Sequence, residues 1–325
     1  MKKIKQIVTI FAALALAVTA GLSFAGTKTK AAGSDEFTRT AIEIAADMGY
    51  GWNLGNTMEA TNTWTSNPKV TDFETAWGQP VTTKAMIDGI KKAGFNSIRI
   101  PVSWSNMMSS DGNYTIDASY FKRVDEIISY AFANDMYVII NDHYDGGWWE
   151  HFCGNKRDCM KHYKNMWTQV AEHYKDYSEK LIFESANEEL GDSLKKSLSK
   201  IDVNISDTAL YNLVNEINQT FDIVRQSGGN NARRYLLIAG FNTDIDKTCS
   251  SLYEMPTDTI SNHLMVSVHY YTPWTYVGLH KDEGYGYMAS WGTDSDKSEM
   301  AGNFAKMKKF TDAGDGVVVG EYSVL

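Results

Sequence analysis

The feature that most constrains the fold is a repeated alternation of short apolar runs with longer amphipathic stretches. The runs are nearly continuous in Val, Ile, Leu, Phe and Tyr, which is typical of parallel strands covered on both faces. They predict seven strands, over residues 51–54, 97–101, 137–140, 181–183, 235–239, 264–268 and 317–319. Between them, apolar residues recur at helical spacing, and Asp117 and Ser206 are expected to cap two of the helices.

Polar side chains follow five of the predicted strands at the points where those strands end. These residues are Arg99, His143, Asn187, Glu188, His269, Tyr271 and Glu321. Active sites of (β/α)8 barrels are assembled from the carboxyl ends of several strands in this way. A doubly wound sheet is the alternative, but residues 51–56 lack the glycine spacing and the following helix of a dinucleotide-binding turn. The sequence therefore predicts an α/β fold, a (β/α)8 TIM barrel.

The predicted strands number seven, one fewer than a closed barrel needs. The sequence stops at Leu325, directly after the seventh run. An open barrel edge would expose unpaired backbone and apolar surface. No linker and no internal repeat divides the chain, so we expect one catalytic barrel over residues 36–325 that is truncated before its eighth strand and helix.

The first residues read as a targeting segment. Lys2, Lys3 and Lys5 precede an apolar run over residues 7–24, and small residues near Ala25 suit signal peptidase. We predict a signal peptide over residues 1–25, a linker over residues 26–35, and a secreted protein. An uncleaved membrane anchor is the alternative, since the run is nearly long enough to span a bilayer. No later stretch predicts contact with a membrane.

Charge and cysteine content exclude several classes of partner. The formal net charge is −9, and removal of the three leader lysines leaves 28 basic against 40 acidic groups, a net charge of −12. An acidic surface disfavours a nucleic-acid partner. Of three cysteines, Cys153 and Cys159 flank a short polar loop that a disulfide could close. The nearby histidines lack standard metal-ligand spacing, so we expect no metal, no cofactor and a monomer.

Two acids, Glu188 and Glu321, each follow an apolar run, in the fourth and seventh predicted strands. Glycoside hydrolysis needs two carboxyl groups, one on each side of the scissile bond, and retaining enzymes hold them about 5–5.5 Å apart. Two solvated acids at strand ends are the alternative interpretation. Aromatic residues beside Gly and Asp, as in residues 142–149, suit the apolar faces of pyranose sugars.

Short motifs that run in order from residue 50 onward resemble those of glycoside hydrolase family 5, the cellulase family. They are Gly-Trp-Asn-Leu-Gly-Asn (51–56), Gly-Phe-Asn-Ser-Ile-Arg-Ile-Pro-Val (94–102), Ile-Ile-Asn-Asp-His (139–143), Phe-Glu-Ser-Ala-Asn-Glu (183–188), Val-His-Tyr-Tyr (268–271) and Gly-Glu-Tyr (320–322). The first motif and Trp77-Gly78 are most similar to the subfamily acting on mixed-linkage glucan, xyloglucan and soluble cellulose. The resemblance implies a secreted, retaining endo-β-1,4-glucanase that acts on β-glucan polysaccharide. A mannanase or xylanase of the same fold and a non-catalytic glycan-binding barrel are the alternatives.

The resemblance also implies a role for each matching residue. Glu188 would be the acid/base and Glu321 the nucleophile of a double displacement. The residues expected to bind substrate or to hold these two acids are Arg99, His143, Asn187, His269 and Tyr271, with Trp148 and Trp149 as the first candidates for sugar-stacking platforms and Trp274 and Trp291 as the next. Glu184 is expected to be structural.

Three features depart from the family pattern. Glu189 stands where the family usually has proline, and its charge beside Glu188 is expected either to raise the pKa of Glu188 or to disturb the loop. Tyr322-Ser323 replaces the more usual aromatic-glycine pair. The family's eighth strand carries a tryptophan under the cleavage-site sugar, and the sequence ends before that point.

Overall fold

The computed structural model describes residues 36–201, 203–281 and 286–323, so the predicted signal peptide and linker lie outside the described residues. Seven parallel strands pair in chain order and form a nearly closed barrel, which confirms the predicted fold class. The strands are β1 Gly51–Asn53, β2 Ser97–Ile100, β3 Tyr137–Ile140, β4 Leu181–Glu184, β5 Leu236–Ala239, β6 Leu264–Tyr270 and β7 Gly316–Tyr322. All seven predicted strands are present, and the first and last residue of each strand lie within three residues of the predicted positions.

Helices connect the strands and cover the outside of the barrel. They are α1 Ala41–Met48, α2 Val70–Glu74, α3 Lys84–Lys92, α4 Ala118–Phe132, α5 Lys156–Tyr174, α6 Asp207–Thr220, α7 Ile223–Gln226, α8 Ile245–Thr248, α9 Trp274–Val277, α10 Asp294–Lys306 and α11 Lys308–Ala313. Short 3-10 helices are Trp104–Met107, Asp145–His151, Asp192–Ile201, Gly229–Ala232 and Phe241–Thr243. Both predicted caps are confirmed, because Asp117 accepts from the Ser119 backbone N–H and Ser206 from that of Ala209.

Side chains alternate between the inside of the barrel and the helix layer. Tyr137, Ile182, Tyr235 and Met265 share an inner apolar cluster, whereas their strand neighbours pack outward against the helices. Further along the same strands, the buried side chains are polar, as at Glu184. The interior is therefore apolar at the amino end of the strands and polar at the carboxyl end, and this gradient positions the site.

Helix α1 lies across the amino end of the barrel. Ala41, Ile44 and Met48 belong to the inner apolar cluster, so the helix closes the barrel floor with its apolar face. The contact with β7 is close: a Cβ on Gly316 would lie 2.7 Å from the backbone oxygen of Ala41. A residue with a side chain at that position would push the helix away.

Strands β1 and β7 face each other without a shared ladder. A cavity of about 480 Å³ lies between them, lined by both strands and by apolar residues of α1 and α10. One direct link crosses the space, a hydrogen bond from Asn53 Nδ2 to the backbone oxygen of Gly320 at 2.8 Å. The opening thus begins directly beside Glu321.

Two further expectations concern cysteines and membranes. Cys153 and Cys159 are free thiols, and Cys159 is buried in α5 with its sulfur 3.8 Å from the backbone oxygen of Trp148, so the possible disulfide is not formed. Within residues 36–323, apart from the two gaps, none of the helices has the length and apolar character required to cross a bilayer.

Candidate active site

Arg99 organises the carboxyl end of the barrel. Its guanidinium is buried and donates from Nε to Glu184 at 2.6 Å, from Nη1 to Glu321 at 2.7 Å and from Nη2 to Asn187 at 2.9 Å. Arg99 lies in β2, whereas its partners lie in β4, directly after β4 and in β7. One side chain therefore fixes the relative position of three strands. The expected contact between Arg99 and Glu321 is present.

Glu184, which was expected to be structural, is the second carboxylate that Arg99 holds. Its carboxylate is fully buried inside the barrel and accepts from Arg99, from Asn141 Nδ2 at 3.0 Å and from Ser267 Oγ at 2.7 Å. A buried carboxylate is stable only when it is paired and hydrogen-bonded. An acid within an apolar strand, two strands away from a lone arginine, was the signal that could have revealed this pair.

Glu321 is held as an anion. Burial alone would raise its pKa, but the charges of His269 and Arg99 and the hydrogen bond from Tyr271 together lower the pKa of Glu321 to about 2. Tyr271 Oη donates to Glu321 at 2.8 Å, the contact expected for this residue. Only 19% of the Glu321 side chain is exposed, so its oxygens have little freedom to turn.

Glu188 has a different environment. Its side chain is 49% exposed, and the hydrogen bond found for it joins Oε1 to His269 Nδ1 at 2.7 Å. His269 Nδ1 also lies 3.6 Å from Glu321 Oε2, so the imidazole stands between the two acids. Oxygen atoms of Glu188 and Glu321 and a ring nitrogen of His269 all lie within 4.8 Å of one another. The same three groups are close enough to hold a metal ion, and the expectation of no metal stays a prediction.

A bulge in β7 brings His269 and Glu321 together. Val268 pairs with Val319, whereas the next residue, His269, pairs with Glu321, so Gly320 is an extra residue in the ladder. Bulges of this kind redirect a side chain and are common beside active sites. Glycine is required there, because a Cβ on Gly320 would lie 2.9 Å from Ser267 Oγ and 3.1 Å from His269 Nε2.

His143 and Asn187 complete the wall of the site next to Glu188. His143 Nε2 lies 3.4 Å from Asn187 Nδ2, while Asn187 Oδ1 accepts from Arg99. Burial, reinforced by the nearby charge of Arg99, lowers the pKa of His143 to about 3, so its ring is neutral near pH 7. Among the described residues, His143 Nδ1 and His269 Nε2 have no hydrogen-bond partner. Both nitrogens are buried in the structure.

The two tryptophans that were the first candidates for sugar platforms differ in their surroundings. The prediction for Trp149 is wrong, because its ring is fully buried and its Nε1 donates to Asp142 at 2.9 Å. Trp148 is partly buried and stacks on Trp149 with ring centroids 4.5 Å apart, which leaves little of its face free.

Two other exposed aromatic sites lie beside His143 and Tyr271. Trp77 and Tyr144 are exposed with ring centroids 6.5 Å apart, and Tyr144 directly follows His143. Trp274 is 59% exposed and lies edge-on to Tyr271 at 6.5 Å between centroids. Trp291, the remaining candidate, is partly buried. Sequence reasoning missed Tyr144 as a cleft residue and used Trp77 only as a family signature.

Comparisons with known proteins match this geometry. The family model "Cellulase (glycosyl hydrolase family 5)" matches residues 58–325. Endoglucanase A of Paenibacillus barcinonensis is 38% identical over 96% of this chain and 80% of its own length. Endoglucanase B of Clostridium cellulovorans is 35% identical over 88% of this chain, which spans 61% of that relative's length. A family 5 lichenase mutant of Caldicellulosiruptor sp. F32, solved with cellotetraose, superposes with a TM-score of 0.79 at 35% identity over 91% of this chain and 80% of that one. The chain belongs to glycosyl hydrolase family 5.

Proposed function

We propose that this chain is a retaining endo-β-1,4-glucanase in which Glu321 is the nucleophile and Glu188 the acid/base. The observation that carries the proposal is the spacing of the two acids, whose oxygens lie within 4.8 Å of each other. Retaining glycosidases hold their carboxyl groups about 5–5.5 Å apart, whereas inverting enzymes need about 6.5–9.5 Å to admit a water molecule.

The two environments suit two different tasks. Glu321 is ionised, fixed by Arg99 and Tyr271, and therefore ready to attack the anomeric carbon. Glu188 reaches into the cleft and can give a proton to the leaving oxygen. Once Glu321 is esterified its negative charge is gone, so the proton affinity of Glu188 falls and Glu188 can take a proton from the attacking water.

Asn187 and His143 supply the contacts to the sugar at the cleavage point. Arg99 occupies the amide oxygen of Asn187, so its amide nitrogen, which lies 3.4 Å from His143 Nε2, is the group that would donate to the 2-hydroxyl. Hydrogen bonds to this hydroxyl strengthen as the transition state forms. We infer that neutral His143, beside Asn187, and His269, bonded to Glu188, contact the same sugar.

The substrate proposal rests on the relatives and on the exposed rings. Two relatives are called endoglucanases, and the lichenase structure holds cellotetraose, so a β-linked glucose chain is the substrate class we infer. Trp77 with Tyr144, and Trp274 beyond Tyr271, provide apolar faces for such a chain. A polysaccharide substrate also fits a protein that acts outside the cell, and secretion through the basic and apolar leader is part of the proposal.

The test replaces each acid with alanine and supplies azide, a small anion that needs no general base. On an aryl β-cellobioside with a good leaving group, Glu188→Ala should form the covalent intermediate, and azide should release a β-glycosyl azide. Glu321→Ala should let azide attack the opposite face directly and give the α-glycosyl azide. Both variants should be nearly inactive on lichenan, carboxymethyl-cellulose and xyloglucan without azide.

The controls separate this proposal from its rivals. Proton NMR of early wild-type products should show the β-anomer first, and an α-anomer would contradict retention. Faster hydrolysis of mannan or xylan than of any glucan would contradict the proposed substrate class but not the roles of the two acids. Binding of glucan without hydrolysis would make the chain a glycan-binding barrel. Full activity of either alanine variant would remove that residue's role.

A further inference from the structure

A second pair of acids, Asp142 and Asp145, lies behind the wall of the cleft and takes no part in the proposed mechanism. Both carboxyls are buried, 0% and 1% exposed. Asp145 accepts from the Ser105 backbone N–H at 2.6 Å, from Ser105 Oγ at 2.7 Å and from Trp148 Nε1 at 2.7 Å. Both of its oxygens are thus acceptors already.

Asp142 is less well satisfied. Its Oδ2 accepts from Trp149 Nε1 at 2.9 Å, but Oδ1 finds no N–H or O–H donor among the described residues. The carboxyls of Asp142 and Asp145 are within hydrogen-bonding reach of each other. Two buried carboxylates in contact cannot both stay ionised, and one proton between them removes the repulsion. Since Asp145 already serves three donors, the geometry puts the proton on Asp142.

The pair encloses a turn with an unusual backbone. Tyr144, Asp145, Gly146 and Gly147 all have positive φ, at 55°, 48°, 71° and 78°. A non-glycine residue in this region is strained and persists only when its surroundings hold it. This turn directly follows His143 and exposes the ring of Tyr144 toward Trp77. Asp142 lies two residues before the turn and Asp145 lies within it, so the contact between their carboxyls closes the turn.

We propose that Asp142 is a protonated acid that donates to Asp145, and that the two are positioning residues for the turn carrying His143 and Tyr144. The ionisable groups that face the pair are Glu189 after β4, His162 and Tyr163 on α5, and Tyr120 on α4. Glu189, the residue that replaces the family's usual proline, adds to the negative potential around Asp142. Burial first, and then the neighbouring carboxyl, raises the pKa of Asp142.

The proposal fixes the sign of a pH effect. An aspartic acid in an unfolded chain has a pKa of about 3.9. The folded pair keeps one proton to higher pH. The folded state therefore binds more protons than the unfolded state, so this contribution to stability is full below that value and is lost as pH rises. Asparagine at position 142 supplies a permanent N–H donor in place of the proton. The stability of the Asp142→Asn variant therefore lacks this dependence on pH.

The test compares wild type with Asp142→Asn by chemical unfolding between about pH 4 and pH 7. The ratio of the unfolding constants, wild type over variant, should rise by up to tenfold for each pH unit over which the pair keeps its proton. Asp145→Asn is the matched control. It places an NH₂ group against donors from Ser105 or Trp148 and should destabilise the protein at every pH. A ratio that does not change with pH would overturn the proposal.

A second readout needs no variant. Infrared spectra near pH 7, above the pKa of about 6 that burial gives Asp315, should show the carbonyl band of a protonated aspartic acid, identified by its shift on ¹³C-aspartate labelling. Absence of the band would also overturn the proposal. The activity arm rests on the proposed function: kcat/KM on lichenan should survive in Asp142→Asn and extend to higher pH, whereas Asp142→Ala should lose it. An inactive wild type would count against the glucanase and leave the unfolding and infrared results intact.

Discussion

The two ends of the barrel use buried arginines in opposite ways. At the carboxyl end, Arg99 donates only to side chains, and one of these, Glu321, is the proposed nucleophile. At the amino end, Arg234 is fully buried and donates mainly to backbone oxygens, those of Tyr174, Tyr177, Ser178 and Leu181, together with Asn231 Oδ1. The first arrangement keeps a carboxylate charged beside an open cleft. The second ties the backbone that runs from the end of α5 to the start of β4 to the segment before β5.

Acids show the same contrast. At the amino end, Glu179 accepts from Arg39 Nη2 at 2.7 Å and from the Phe37 backbone N–H at 2.6 Å, which ties the segment before α1 to the start of β4. Its contacts join pieces of the fold. Glu321 instead has contacts that leave one side open to a substrate. If the proposed function is right, charge at the carboxyl end serves chemistry and charge at the amino end serves stability, so mutations at the two ends should separate activity from stability.

The largest effect is expected for Glu321→Gln at the carboxyl end. Loss of the nucleophile should lower kcat on soluble β-glucan by on the order of 10⁴-fold or more, as for other residues of a catalytic unit. The amide keeps the shape of the side chain, so the variant should stay folded at the assay temperature. The measurement is the initial rate, normalised to the folded fraction that circular dichroism gives. A loss of less than tenfold would contradict the assignment.

Next is Arg234→Lys at the amino end. Lysine has three donors for the five acceptors that Arg234 serves, so two buried hydrogen bonds from a charged group are lost, at about 1–3 kcal/mol each. The free energy of unfolding should fall by about 2–6 kcal/mol in urea titrations. kcat per folded molecule should match wild type, and a large change in kcat would break the division between the two ends.

Tyr271→Phe should have an intermediate effect on activity. It removes one hydrogen bond to a charged group, worth about 1.5–3 kcal/mol, which corresponds to a loss in kcat/KM of about tenfold to a hundredfold. The pKa of Glu321 should rise toward its ordinary value, so the acid limb of the pH–rate profile should move to higher pH. Tyr137→Phe, which removes a hydroxyl from the amino-end network around Arg39, is the control and should leave that limb in place.

The smallest effect is expected for Glu179→Gln, the counterpart of Glu321→Gln. The amide retains one acceptor oxygen but turns an NH₂ group toward Arg39 or the Phe37 N–H, so unfolding free energy should fall by about 1–3 kcal/mol. Activity per folded molecule should be unchanged. Thermal unfolding tests the expected loss of stability, and the rate assay tests the unchanged activity. Reduced kcat without reduced stability would show that the two ends of the barrel are coupled.

Much of this architecture was readable from the sequence because it depends on local patterns. Apolar runs gave seven strands in order, helical spacing and caps at Asp117 and Ser206 gave α4 and α6, and polar residues at strand ends gave the members of the site. Each of these signals extends over a few neighbouring residues, and parallel strands necessarily bring their carboxyl ends to one face.

The tertiary structure decided what depends on distances between remote residues. The Gly320 bulge places His269 beside Glu321, the barrel interior joins Glu184 to Arg99, and the 144–147 turn hides Trp149 while exposing Tyr144. Sequence patterns show which residue types follow a strand, but the direction of a side chain and the pKa of its group depend on the neighbours supplied by other strands. Those neighbours exist only after the chain has folded.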